Sequence, residues 1–90
     1  MRITIHYMTQ IKRAAGRSSD EIDVPAATTL RDALRSVAER HGPDFRGMLL
    51  DDAAEPRRSL LFFVGDEHAD IGRPLREGDA VTILAPMAGG

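Results

Sequence analysis

Leu75-Arg76-Glu77-Gly78-Asp79-Ala80-Val81-Thr82-Ile83-Leu84-Ala85-Pro86-Met87-Ala88-Gly89-Gly90 is the stretch whose reading decides the fold. Glu77-Gly78-Asp79 has turn composition, and the apolar run from Ala80 to Leu84 reads as a strand behind it. Pro86 ends that strand, because its φ is fixed, it biases Ala85 towards extended geometry, and it has no N–H for a sheet ladder. Gly89 and Gly90 lack a Cβ, so their backbone can thread a slot too narrow for any other residue. Six extended residues from Ala85 to Gly90 reach on the order of 20 Å. The chain is therefore read as a folded domain over residues 1–84 and a flexible tail over residues 85–90. The candidate functional group is the α-carboxylate of Gly90, offered to another protein's catalytic groups. The competing reading is a frayed terminus, the common fate of glycines at chain ends.

Working back from the tail, Leu60-Leu61-Phe62-Phe63-Val64 is an unbroken apolar run. It predicts a strand covered on both faces, one cover being a partner protein. Gly65-Asp66 predicts a turn, Glu67 to Asp70 a polar stretch, and Asp51 to Arg58 a loop. Phe45, Met48 and Leu49 have helical spacing in a stretch interrupted by Gly47, which predicts a short helix plugging the core. The strongest helix signal begins at Thr29, with Asp32 three residues on as in a capping box. Leu30, Ala33, Leu34, Val37, Ala38 and His41 then fall on one face, and Gly42-Pro43 is the expected stop. At the N-terminus Ile3, Ile5 and Tyr7 alternate with Arg2, Thr4, His6 and Met8, the period of a half-buried strand. Gln10 to Ser19 reads as a polar, basic loop leading into a second strand, Glu21-Ile22-Asp23-Val24, and so into a hairpin. The result is an α+β domain with one main helix packed across a small mixed sheet.

Composition narrows the function. Ninety residues at 42% hydrophobic and 29% charged fit one domain with one core. A net charge of -2, with arginines scattered among fourteen acids, offers no basic field for nucleic acid. No apolar run approaches the ~20 residues of a membrane span, and no leader pattern precedes the first strand, so a cytoplasmic protein is expected. Cysteine is absent, which excludes disulfides, thiolate metal sites and a thiol nucleophile.

Leu75 to Ile83 followed by Pro86-Met87-Ala88-Gly89-Gly90 resembles the C-terminal signature of the ubiquitin-like sulfur carriers, the MoaD/ThiS family. The resemblance extends to the whole chain through the order of elements, and it implies a β-grasp fold. It further implies that Gly90 is adenylated by an ATP-using activating enzyme and converted to a thiocarboxylate whose sulfur passes to an acceptor. On this resemblance Gly90 carries the sulfur, Gly89 allows threading, and Pro86, Met87 and Ala88 form the recognised stem. No cofactor is bound by the chain; ATP is used by the partner, and no base or oxyanion hole is apparent in the chain itself. The expected partners are the adenylating enzyme and a sulfur-accepting enzyme such as the large subunit of molybdopterin synthase. The implied role is that of the synthase's small subunit in molybdenum cofactor biosynthesis. The alternatives are a carrier for cysteine or thiamine synthesis, a ubiquitin-like protein modifier, or a β-grasp interaction module with an idle tail.

The remaining candidates are weaker. His6, His41 and His68 have no second ligand at metal spacing. Asp51-Asp52 and Asp66-Glu67 lack the alternating oxygen ligands of a calcium loop. Ser18, Ser19 and Ser59 have no His and Asp pattern to make a nucleophile. Phe62, Phe63 and Leu84 either complete the core or dock a partner. Since neighbouring strand residues face opposite ways, one of the two phenylalanines must point away from the helix.

Overall fold

A computed structural model describes residues 1–86. The alternation at the N-terminus makes strand β1 (Arg2–Tyr7), whose Ile3, Ile5 and Tyr7 are no more than 1% exposed. The apolar run before the tail makes β5 (Ala80–Leu84), which lies parallel to β1 with Ile5 opposite Val81 and Tyr7 opposite Ile83. The two strands farthest apart in sequence are thus neighbours at the middle of the sheet. β2 (Ser19–Asp23) pairs antiparallel with the other edge of β1, β3 (Leu61–Val64) pairs antiparallel with β5, and β4 (Glu67–His68) closes the far side against β3. The order is β2-β1-β5-β3-β4.

Among the described residues three helices cover one face. In α2 (Leu30–Ala38) the hydroxyl of Thr29 accepts a hydrogen bond from the Asp32 N–H at 3.3 Å, as the capping pattern predicts, and all five apolar residues are fully buried. The expected stop is displaced. α2 ends at Ala38 with Glu39 as its cap, whereas Gly42, at φ 90, and Pro43 start α3 (Pro43–Leu49). Proline suits a first turn because the N–H it lacks has no partner there. Phe45 and Leu49 of α3 reach the same core as Ile3, Ile5, Leu34, Val81 and Ile83.

The structure corrects two further expectations. Residues Thr9–Ala15, expected in a loop, form α1, held by Ile11 at 1% exposure, partly buried Ala14 and Ala15, and Gly16, whose N–H bonds the Lys12 carbonyl at φ 75. Two turns leave too few apolar positions to show a helical period. β4 lies in the stretch read as polar, because the two-residue turn Gly65-Asp66 sends the chain straight back along β3. On β3 the chain itself covers one face, and the second cover expected from a partner is not tested by the chain alone. Phe62 and Val64 are buried at 5% exposure each, while Leu61 is 37% exposed and Phe63 partly so.

Candidate tail exit and docking face

β5 ends at Leu84, and Ala85 and Pro86 continue the chain beyond it. Leu84 sits opposite Leu61 of β3, Ala85 is partly buried against the core, and Pro86 is exposed. The exit lies beside the end of β1, since Ile83 is opposite Tyr7. Of the residues expected to carry the chemistry, Pro86 is described; Met87, Ala88, Gly89 and Gly90 lie outside the described residues.

The face of the sheet opposite the helices is built by parity. Ile3, Ile5, Tyr7, Phe62, Val64, Val81 and Ile83 turn towards the helices, so Thr4, His6, Leu61, Phe63, Thr82 and Leu84 turn away. Register gathers the second set: Leu61 faces Leu84, Phe63 faces Thr82 and His68, and Thr82 faces His6. The Phe63 ring meets His68 edge-on, with centroids 5.7 Å apart. Among the described residues no helix covers this face. Phe62, one of the two phenylalanines considered for docking, is removed from it: at 5% exposure it belongs to the core, and Phe63 is the outward one. Two residues that sequence reasoning did not single out join the patch. Leu61 shares the parity of Phe63, and Met8, 42% exposed with extended backbone, carries the outward alternation of β1 one step past His6. The same period of two that built the strands was sufficient to find both.

A second cluster lies inside the fold. Asp20 of β2 is 4% exposed; its Oδ2 accepts the Tyr7 hydroxyl at 2.6 Å and lies 2.5 Å from His41 Nε2, while its Oδ1 is 3.3 Å from Arg17 Nη1. Tyr7, His41 and Phe45 meet edge-to-face, with centroids 5.0 to 6.1 Å apart. Burial pushes the Asp20 carboxyl up, but the hydrogen bonds from His41 and Tyr7 outweigh it and hold the group below its ordinary value. The Tyr7 hydroxyl is pushed well above its usual range by burial and by its bond to Asp20. The cluster ties β1, β2 and the linker between α2 and α3 together, which is a structural role. Among the described residues no group of three His, Cys, Asp or Glu could hold a metal ion, and no helix is long and apolar enough to cross a membrane.

A mixed sheet with its two terminal strands parallel at the centre and a helix packed across it is the β-grasp of ubiquitin-like proteins. The ThiS family model matches residues 5–90, and the chain belongs to the ThiS family. Among solved structures it is similar to SAMP1 from Haloferax volcanii, with TM-score 0.91, 22% identity and all of both chains covered. It is also similar to a protein assigned as molybdopterin converting factor subunit 1 from Pyrococcus furiosus, with TM-score 0.77, 20% identity, and 97% of this chain and 99% of that one covered. A third likeness is to the BexX/CysO complex of Amycolatopsis orientalis, with TM-score 0.71, 23% identity, and 98% of this chain and 99% of that one covered. At these identities the likeness shows the fold. No curated protein sequence matches the chain.

Proposed function

We propose that the protein is a sulfur carrier whose Gly90 carboxylate is activated and thiolated by a partner, and that the sheet face opposite the helices docks that partner. The observation supporting this most directly is the exit of the strand into Pro86 beside an uncovered apolar face, in a chain of the ThiS family whose sequence carries Gly89-Gly90 beyond it. Four residues beyond Pro86 span up to about 14 Å, so a partner can rest on Phe63, Leu61 and Leu84 while its active site receives Gly90.

The chemistry needs two displacements. A carboxylate oxygen of Gly90 attacks the α-phosphorus of ATP, an O–P bond forms, and pyrophosphate leaves. A sulfur nucleophile such as hydrosulfide then attacks the acyl carbon, a C–S bond forms, AMP departs with the oxygen, and a proton is lost to give the thiocarboxylate. The chain supplies the acyl group and the partner supplies ATP binding and base. Pro86, Met87 and Ala88 form the stem that the partner grips, and Gly89 lets it close around the backbone. For the pathway we take the small subunit of molybdopterin synthase, a reading supported by the likeness to the Pyrococcus furiosus protein.

The test combines protein, its adenylating enzyme, ATP and inorganic sulfide, followed by intact-mass analysis. One oxygen replaced by one sulfur, mapped to Gly90, is expected. No exchange with an enzyme that adenylates a control carrier, or exchange mapped elsewhere, contradicts it. A modifier reading draws on the likeness to small archaeal modifier protein 1, and a denaturing gel of native cells separates the two. A carrier gives a single band near 9.8 kDa. A ladder that survives denaturant and thiol reductant and needs Gly90 means conjugation.

A further inference from the structure

On the helix side of the tail exit lies a groove of about 380 Å³. Ala85 and Pro86 line it together with Gly47 and Met48 of α3, buried Leu60 and exposed Arg57. Two features of this groove mark it out.

The first is Gly47. It sits inside α3, where glycine is disfavoured because it surrenders the most backbone freedom on folding. Its φ is not among the left-handed ones, and a Cβ placed on it would meet nothing within 4 Å. Neither backbone conformation nor packing inside the chain calls for glycine at this position. The room it leaves opens onto the groove.

The second is Arg57. Its Nε donates to the Gly47 carbonyl at 2.5 Å, which fixes the guanidinium at the groove. Among the described residues it enters no ion pair, although its charge helps to hold the Asp51 carboxyl below its ordinary value, and its terminal nitrogens make no side-chain hydrogen bond there. An oriented guanidinium with unused terminal nitrogens matches a carboxylate.

We infer that this groove seats an acidic backbone segment of the adenylating enzyme, approaching closely at Gly47 and placing a carboxylate on Arg57. The inference rests on the carrier reading and extends it. An enzyme that draws the Gly90 carboxyl into its active site must stand over the strand end from which the tail leaves, and Ala85 and Pro86 are themselves the groove's wall. The partner then grips the exit from both sides of the sheet, with Phe63 and Leu61 under one part of it and Gly47 and Arg57 under another.

The test follows exchange at Gly90 against carrier concentration, with the adenylating enzyme, ATP and inorganic sulfide. Two variants probe the groove. Gly47→Gln fills it with a better helix former, and Ser59→Glu, at another lining position, opposes Arg57 without touching its bond to Gly47. Gly47→Gln is expected to raise the thermal unfolding midpoint yet raise the half-saturating carrier concentration by about tenfold or more, with the saturated rate near wild type. Ser59→Glu is expected to raise that concentration similarly without lowering the midpoint, and added salt should shrink its difference from wild type. Unchanged half-saturation in both variants, with the wild type exchanged normally, overturns the groove and leaves the carrier reading standing. No exchange in the wild type, with an enzyme proven on a control carrier, removes the carrier reading and this inference with it.

Discussion

The two faces of strands β3 and β5 carry side chains of similar hydrophobicity and opposite fates. Phe62, Val64, Val81 and Ile83 are at most 5% exposed under the helices, whereas Leu61, Phe63 and Leu84, one residue along the same strands, have no helix over them. Each strand position therefore answers to one of two demands. The covered set holds the domain together, at roughly 1.5–3 kcal/mol for each large apolar side chain fully buried. The uncovered set, exposed or half-buried, contributes less to stability and is available to a partner.

The comparison breaks most readily on its covered side. Leu34→Ala, at a fully buried position of α2, should destabilise the domain by about 2–5 kcal/mol, read from urea or thermal unfolding. A loss below about 1 kcal/mol would mean that α2 does not close the core. On the uncovered side Phe63→Ala should weaken binding to the tail-receiving partner by about 2 kcal/mol, measured by calorimetry, while the unfolding midpoint moves little. A stability loss as large as that of Leu34→Ala would erase the contrast between the faces. Phe62→Ala should behave in the reverse sense, losing stability first and binding only as folding fails.

The cluster under the helices sharpens the covered side through pH. Tyr7→Phe leaves the buried Asp20 carboxylate short of one donor and should cost about 1–3 kcal/mol at neutral pH. The Asp20 carboxyl is held below its ordinary value of 3.8, so its contribution is present above that value and fades as pH falls through the lower, folded one. Tyr7 is raised above 10.0, so its contribution is present below that value and is lost as pH rises further. Asp20→Asn should therefore flatten the acid limb of the stability profile measured by denaturant unfolding from pH 2 to 7. An acid limb identical to that of wild type would place the titrating group elsewhere.

Much of this division was legible before the fold. The alternation of Ile3, Ile5 and Tyr7, the capping pair Thr29 and Asp32, and the strand running into Pro86 each carry a period or a cap that local physics enforces. What was not legible depends on tertiary partners. Residues Thr9–Ala15 are too few to show a helical period, and the helix exists because Ile11 finds the core and Gly16 closes its end. The Leu60 to Val64 run looks doubly buried because hydrophobicity does not say which side lacks a helix; only the sheet order shows that Phe62 goes inward and Phe63 outward. The Asp20 cluster joins residues 13 and 21 positions apart, a spacing with no local signature.

The central claim is that the folded domain and the chemical group are separable, and removing Gly90 tests it most directly. The shortened protein should unfold at the wild-type midpoint and bind its partner through the Phe63 face, yet show no oxygen-to-sulfur exchange by intact mass with the adenylating enzyme, ATP and sulfide. Exchange that persists without Gly90, or a midpoint that falls as far as in Leu34→Ala, would contradict it.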